Sequence, residues 1–233
     1  MQDLRPNDKR AKNAILLIQL VLAVQIISVV SDYFQYSLLK DLENGIAPAE
    51  GAAAANDLRQ RIIGIVFLIM YIISAVTFIQ WFRRASFNLH TKPNSLEYDE
   101  AAAAYCWFIP IVSLYQPYKI MKELYVGTDA LLSRRNVATY TDKISTNIVG
   151  WWWTLWIISN IIGRVVLKTA FKTDTVDQLI DSTEVSMLSG IIDIPLALLT
   201  IKVIKDYANV EPLLYEVDKE EPKETSSEGI IPA

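Results

Sequence analysis

IIGIVFLIMYIISAVTFIQWF, running from Ile62 to Phe82, carries no charged residue. A helix rises about 1.5 Å per residue, so this stretch is long enough to cross the roughly 30 Å hydrocarbon core of a bilayer. It also lacks the polar face that a helix at the surface of a water-soluble protein presents. Three further segments share these properties: Ala14 to Val30 with a continuation to Tyr36, Ile148 to Leu167, and Val185 to Ile204. One such block fits a buried helix of a soluble protein. Four of them in 233 residues, 52% of which are apolar, point to an all-α integral membrane protein with spans at 14–36, 62–82, 148–167 and 185–204.

The first span begins after Arg5, Lys9, Arg10 and Lys12, as a signal peptide does. Its apolar run is longer than a usual signal core, and Val29 to Tyr33 offers no A-x-A-like cleavage site, so an uncleaved anchor is expected. A fifth apolar stretch, Ala101 to Pro117, is shorter and is interrupted by Pro110. Runs of that length lie in the interface or re-enter more often than they span. Charge supports four spans. With the N-terminus inside, segments 1–13, 83–147 and the stretch from Lys202 hold fourteen Lys and Arg near the membrane, against five in loops 37–61 and 168–184. Counting 101–117 as a span leaves nine inside and ten outside, and the bias vanishes. The positive-inside rule therefore predicts four spans with both termini cytoplasmic.

Trp81, Trp151, Trp152, Trp153 and Trp156 fall at the expected inner ends of spans two and three, and Tyr33, Phe34 and Tyr36 at the outer end of span one. Such placement suits an aromatic belt at the headgroups. Between the second and third spans, Ser95 reads as an N-cap followed by Glu97, Asp99 and Glu100, predicting a helix through the alanines to Trp107 that breaks before Pro110. Tyr118 to Arg135 then reads as an amphipathic helix with Ile120, Leu124 and Leu131 at near-helical spacing. The expected element, 95–135, is a helix–Pro–helix unit pressed on the inner leaflet, with Arg83, Arg84, Arg134 and Arg135 set to meet lipid headgroups or a partner.

In this region FIQWFRRASFN (78–88) is followed by WFIPIVSLYQPYKIMKELY (107–125). That pairing resembles the domain of unknown function 4328 family, bacterial multi-span membrane proteins, over most of residues 15–205. The family pattern is a W-x-x-R-A-like span end, then W-x-x-P and a second proline before an amphipathic helix. It falls on Trp81, Arg84, Ala85, Asn88, Trp107, Pro110, Pro117 and Tyr118. The resemblance implies a helical protein of the bacterial inner (cytoplasmic) membrane and brings no established activity with it.

Composition excludes several classes. The formal charge is −4, and residues from Asp206 onward contribute −6 of it, predicting a single membrane domain over 1–205 and a solvated acidic tail over 206–233. No basic stripe is present for nucleic acid. One cysteine, Cys106, and one histidine, His90, leave no expected metal site or cofactor, and no nucleophile or phosphate-loop motif occurs. At membrane depth, where an ionisable residue is costly, Asp193 lies about eight residues into the fourth span. Arg164 lies near the outer end of the third, at a height where the two side chains can pair. Ser159 to Gly163 and Ser186 to Gly190 are small-x-x-x-small patterns that favour helix contact there. Asp32 and Arg61, both near the outer ends, are expected as hydrated surface groups, with a second pairing as the alternative.

The expected function is a non-enzymatic membrane interaction or scaffold protein, its partners being the lipid bilayer and either a cytoplasmic protein or further copies of itself. The alternative is a small transporter or channel with a polar path at Asn160, Arg164 and Asp193.

Overall fold

A computed structural model describes residues 3–92, 96–135, 137, 140, 144–171 and 174–217. Among these residues every regular element is helical. The helices are α1 (Asp8–Glu43), α2 (Ala52–His90), the single turn α3 (Ala102–Tyr105), α4 (Gln116–Arg134), α5 (Asn147–Ala170), α6 (Val176–Val210) and the short α7 (Leu214–Val217). Each expected span falls on one long helix. With its 36 residues α1 is about 54 Å long, well beyond the hydrocarbon thickness, so the long helices continue past the apolar region. The α1–α2 connection turns at Gly45 and Gly51, both with φ near +79°, a backbone conformation that glycine adopts without steric cost.

Four long helices run up and down in the order α2, α1, α6, α5, each packed on its neighbour. At one end, the head, the start of α1 meets the ends of α2 and α6, and the start of α5 meets α2 through the Phe78 and Trp152 rings, 6.2 Å apart. The chain's described ends therefore lie together. The buried apolar core is concentrated there: Ala11 and Ala14 from α1, Trp81, Phe82 and Leu89 from α2, Val203, Ile204 and Tyr207 from α6, and Leu214 from α7. Helix α4 packs against α2, α5 and α7. It buries Ile120, Met121, Leu124, Tyr125, Leu131 and Leu132, and the Tyr125 hydroxyl donates to the Val203 carbonyl at 2.9 Å.

Away from the head the pattern inverts. Leu20, Ile26 and Ile27 of α1, Ile65, Leu68, Ile69 and Ile72 of α2, Ile161 and Val165 of α5, and Leu188 and Ile191 of α6 all face outward. An apolar surface this extensive is a solvent-facing liability in water and the natural surface of a helix in lipid. Three helices are long and apolar enough to cross a membrane: α1, α2, and α6 with its continuation to Val217. Helix α5 matches the expected third span in place and length but is not among these three.

The structure corrects three expectations. The helix expected from Ser95 to Trp107 is reduced to the single turn α3; Ser95 lies outside the described residues, and the Asp99 carboxylate accepts from the Ala102 amide at 2.8 Å. The solvated tail does not begin at 206. Helix α6 continues to Val210, and Leu214 and Val217 are buried in the head core; 218–233 lie outside the described residues. Finally, Trp81, Trp152 and Trp153 are buried in the core rather than set in a belt, while Trp151, Tyr33 and Phe34 are exposed. The buried rings join Phe78, Phe82, Trp107 and Trp156 in one cluster, with Trp153 and Trp156 stacked at 4.4 Å.

Candidate functional site

The most tightly built polar site lies in the head. Helix α6 ends at Glu211, whose side chain is only 5% exposed. Its Oε1 accepts from Asn88 Nδ2 at 2.7 Å and from Asn7 Nδ2 at 3.1 Å, and its Oε2 accepts from Asn7 Nδ2 at 2.9 Å. Asn88, in the last turns of α2, also grips the chain before α1. Its Oδ1 accepts from the Arg5 amide at 3.0 Å, and its Nδ2 donates to the Arg5 carbonyl at 2.8 Å. Asn7 additionally donates to the Trp81 carbonyl at 3.3 Å. The two asparagines thus tie the N-terminal segment, the end of α2 and the end of α6 into one clasp. Two buried polar atoms in it have no partner, Asn7 Oδ1 and Trp81 Nε1.

Every hydrogen bond to Glu211 comes from a neutral amide. Burial pushes its carboxyl up to about 7, opposed by the Asn88 and Asn7 amides and by Arg84, with Asp8 adding to the rise. Burial lowers Arg84 from its ordinary value, and the neighbouring Arg10 and Arg5 lower it further. The Arg5 and Arg84 guanidinium groups lie 4.2 and 5.9 Å from the centre of the Phe87 ring. Chemically, the clasp can hold and release a proton at Glu211. Sequence reasoning assigned Asn88 to a family pattern but missed Asn7 and Glu211. Both read as ordinary surface residues, and only the 204-residue separation closed by folding gives them a role.

The residues singled out for the membrane interior are arranged differently from the sequence expectation. Asp193 accepts from Ser159 at 2.5 Å and from Ser189 at 3.4 Å. Arg164 is exposed and forms no ion pair among the described residues, and Asn160 donates to the Trp156 carbonyl of its own helix. The structure therefore does not bring Asn160, Arg164 and Asp193 together. Gly163 faces open space, whereas a Cβ on Gly190 would meet Val29 of α1 at 2.4 Å, so that small-residue pattern serves α1 rather than α5. Asp32 is buried near the far end, accepting from Gln60 and Ser186 at 3.1 Å each rather than pairing with Arg61. Arg59 there donates to Ser31 and Asn56.

The basic residues divide. Arg83 bridges to Glu100 at 3.0 Å and stays exposed, as does Arg134; Arg84 is half-buried in the clasp, and Arg135 is half-buried at the end of α4. Pro117 and Tyr118 open α4, with Tyr118 stacked on Trp153. Pro110 sits on an exposed segment. In that segment Phe108 and Ile111 are 74% and 76% exposed, and Trp153 Nε1 holds the Leu114 carbonyl at 3.2 Å. Cys106 beneath it is buried, and burial pushes its thiol up to about 12, so no thiolate is available near neutral pH. Among the described residues no group of three or more His, Cys, Asp or Glu is placed to hold a metal ion.

The outward apolar bundle with its buried head defines a helical membrane protein. The model of the family described as a domain of unknown function (DUF4328) matches residues 44–209, and the chain belongs to that family. The match begins later than the expected 15, so α1 and Asn7 lie outside it, and Glu211 lies just beyond its other end. Comparison with curated proteins gives no match, nor does comparison with solved structures.

Proposed function

We propose that the chain is a non-enzymatic interaction module of the bacterial inner membrane, crossing it four times on α1, α2, α5 and α6 with the head in the cytoplasm. The single observation that supports it best is the Tyr105–Tyr115 segment. Phe108, Ile109, Ile111 and Leu114 are all exposed on a stretch that has no long helix. Irregular backbone of this kind does not cross lipid exposed, but it enters the headgroup boundary readily when apolar side chains lead. The segment is an anchor in the inner leaflet. It holds α4 against the membrane with Arg83, Arg134 and Arg135 near anionic headgroups, and leaves the outer face of α4 for a cytoplasmic partner or a second copy.

The test uses full-length protein carrying Cys106→Ser and Ile111→Cys, labelled with an environment-sensitive fluorophore and reconstituted in vesicles of zwitterionic and anionic phospholipid. Brominated acyl chains should quench the probe severalfold more than they quench one at Ser133→Cys. Equal quenching at both positions would remove the anchor and with it the platform.

A further inference from the structure

We propose that the Glu211 carboxyl is a proton-binding site whose occupancy sets how firmly the N-terminal segment is clasped to the head. Geometry makes the first argument. The Asn7 and Asn88 amides hold both Glu211 oxygens while the same two side chains hold the Trp81 and Arg5 backbone, so the carboxyl and the N-terminal segment share one set of partners. Burial makes the second argument. Ionised carboxylates inside proteins are paired with cations, whereas Glu211 has no ion pair among the described residues and is held by neutral amides alone. The site lies six or more residues beyond the expected apolar ends of α2 and α6, hence about 9 Å or more outside the hydrocarbon, where aqueous protons reach it.

The charged and titratable groups around it come from every packed segment. Asp8 on α1 opposes ionisation, Arg84 on α2 favours it, and Arg5 precedes α1 beside Arg84; Tyr207 on α6 and Tyr215 on α7 sense the Glu211 charge. The clasped form holds its proton up to about pH 7, against an ordinary glutamate value of 4.5. Clasping is therefore strongest in acid, weakens as pH rises from the ordinary value to the raised one, and levels off above it. The asparagines set the response by geometry, because the N-terminal segment is attached to the same two amides that hold the carboxyl.

The test is hydrogen exchange of the peptide spanning 3–14 in the full-length protein in nanodiscs, corrected for intrinsic rates, from pH 5.5 to 8.5. Protection should fall by roughly tenfold or more from pH 5.5 upward and level off above about pH 7. Glu211→Gln, which keeps the shape and cannot ionise, should hold the acid level of protection at every pH. A flat wild-type profile, or a Glu211→Gln profile that still falls with pH, would overturn the proposal. An infrared titration of wild type keeps it falsifiable should the variant fail to fold: a protonated-carboxyl band must disappear with a midpoint near 7, where the protection profile levels off, and loss of the band near the ordinary value refutes the assignment.

Discussion

Asn88 uses its full hydrogen-bonding range in the clasp, accepting from one Arg5 group and donating to another and to Glu211. Asn88→Ala leaves buried backbone and carboxyl groups unserved, each costing about 1–3 kcal/mol. The variant should lose about 3 kcal/mol of stability in chemical unfolding in detergent. Arg83→Ala, which removes only the exposed bridge to Glu100, should lose under about 1 kcal/mol. Comparable losses would deny the clasp its structural weight. At this scale the sequence is legible in height but not in rotation. Arg164 and Asp193 were matched by counting residues along two helices. Asp193 in fact meets Ser159, and five residues at about 100° each carry Arg164 some 140° round α5 from that face. Nothing in the sequence announces which way a nearly uniformly apolar helix turns. Nor does any local pattern link Asn7 to Glu211.

Helices make their contacts through faces, and Gly190 shows which face α6 gives to α1. An added methyl there would lie 2.4 Å from Val29 and 2.6 Å from Gln25, distances that no Cβ tolerates. Gly190→Ala should cost about 1–3 kcal/mol through overpacking. Gly163→Ala on α5, with open space around it, should be neutral or stabilise by up to about 1 kcal/mol through helix propensity. Thermal unfolding of the two variants separates an α1–α6 seam from the α5–α6 seam that paired small residues suggest. Among the elements, long uninterrupted apolar runs were readable because length alone selects a helix, and α4 was readable because its apolar residues repeat at helical spacing. The stretch 95–107 was not. Its alanines favour helix, but Cys106 and Ala103 are drawn into the head core and Trp107 into the aromatic cluster, and the chain bends to deliver them. Acidity likewise suggested a tail from 206, whereas Tyr207, Leu214 and Val217 fill the core between the charges.

Taken whole, the molecule has its packed core at one end and an apolar exterior along the rest, an arrangement that divides solvent from lipid along the helix axes. Both described chain ends lie at the packed end because an even number of long helices runs up and down. The proposed four-span orientation has that end in the cytoplasm, in line with the positive-inside rule, since Arg83, Arg84, Arg134 and Arg135 all belong to it. That proposal predicts the side of three positions. In a Cys106→Ser background, Glu50→Cys in the α1–α2 loop and Asp174→Cys before α6 should react with a membrane-impermeant maleimide on intact cells. Ser133→Cys at the end of α4 should react only after permeabilisation. All three residues are exposed, so protection reports the membrane rather than burial. Labelling at Ser133 in intact cells together with protection at Glu50 would turn the molecule over and place the head, its clasp and its proton site on the outer face. Labelling at both Glu50 and Ser133, with Asp174 protected, would mean that 101–117 crosses the bilayer. That outcome would require its one-turn helix and Pro110 to be lined by protein rather than lipid, and would make a five-span pathway the better account of the protein.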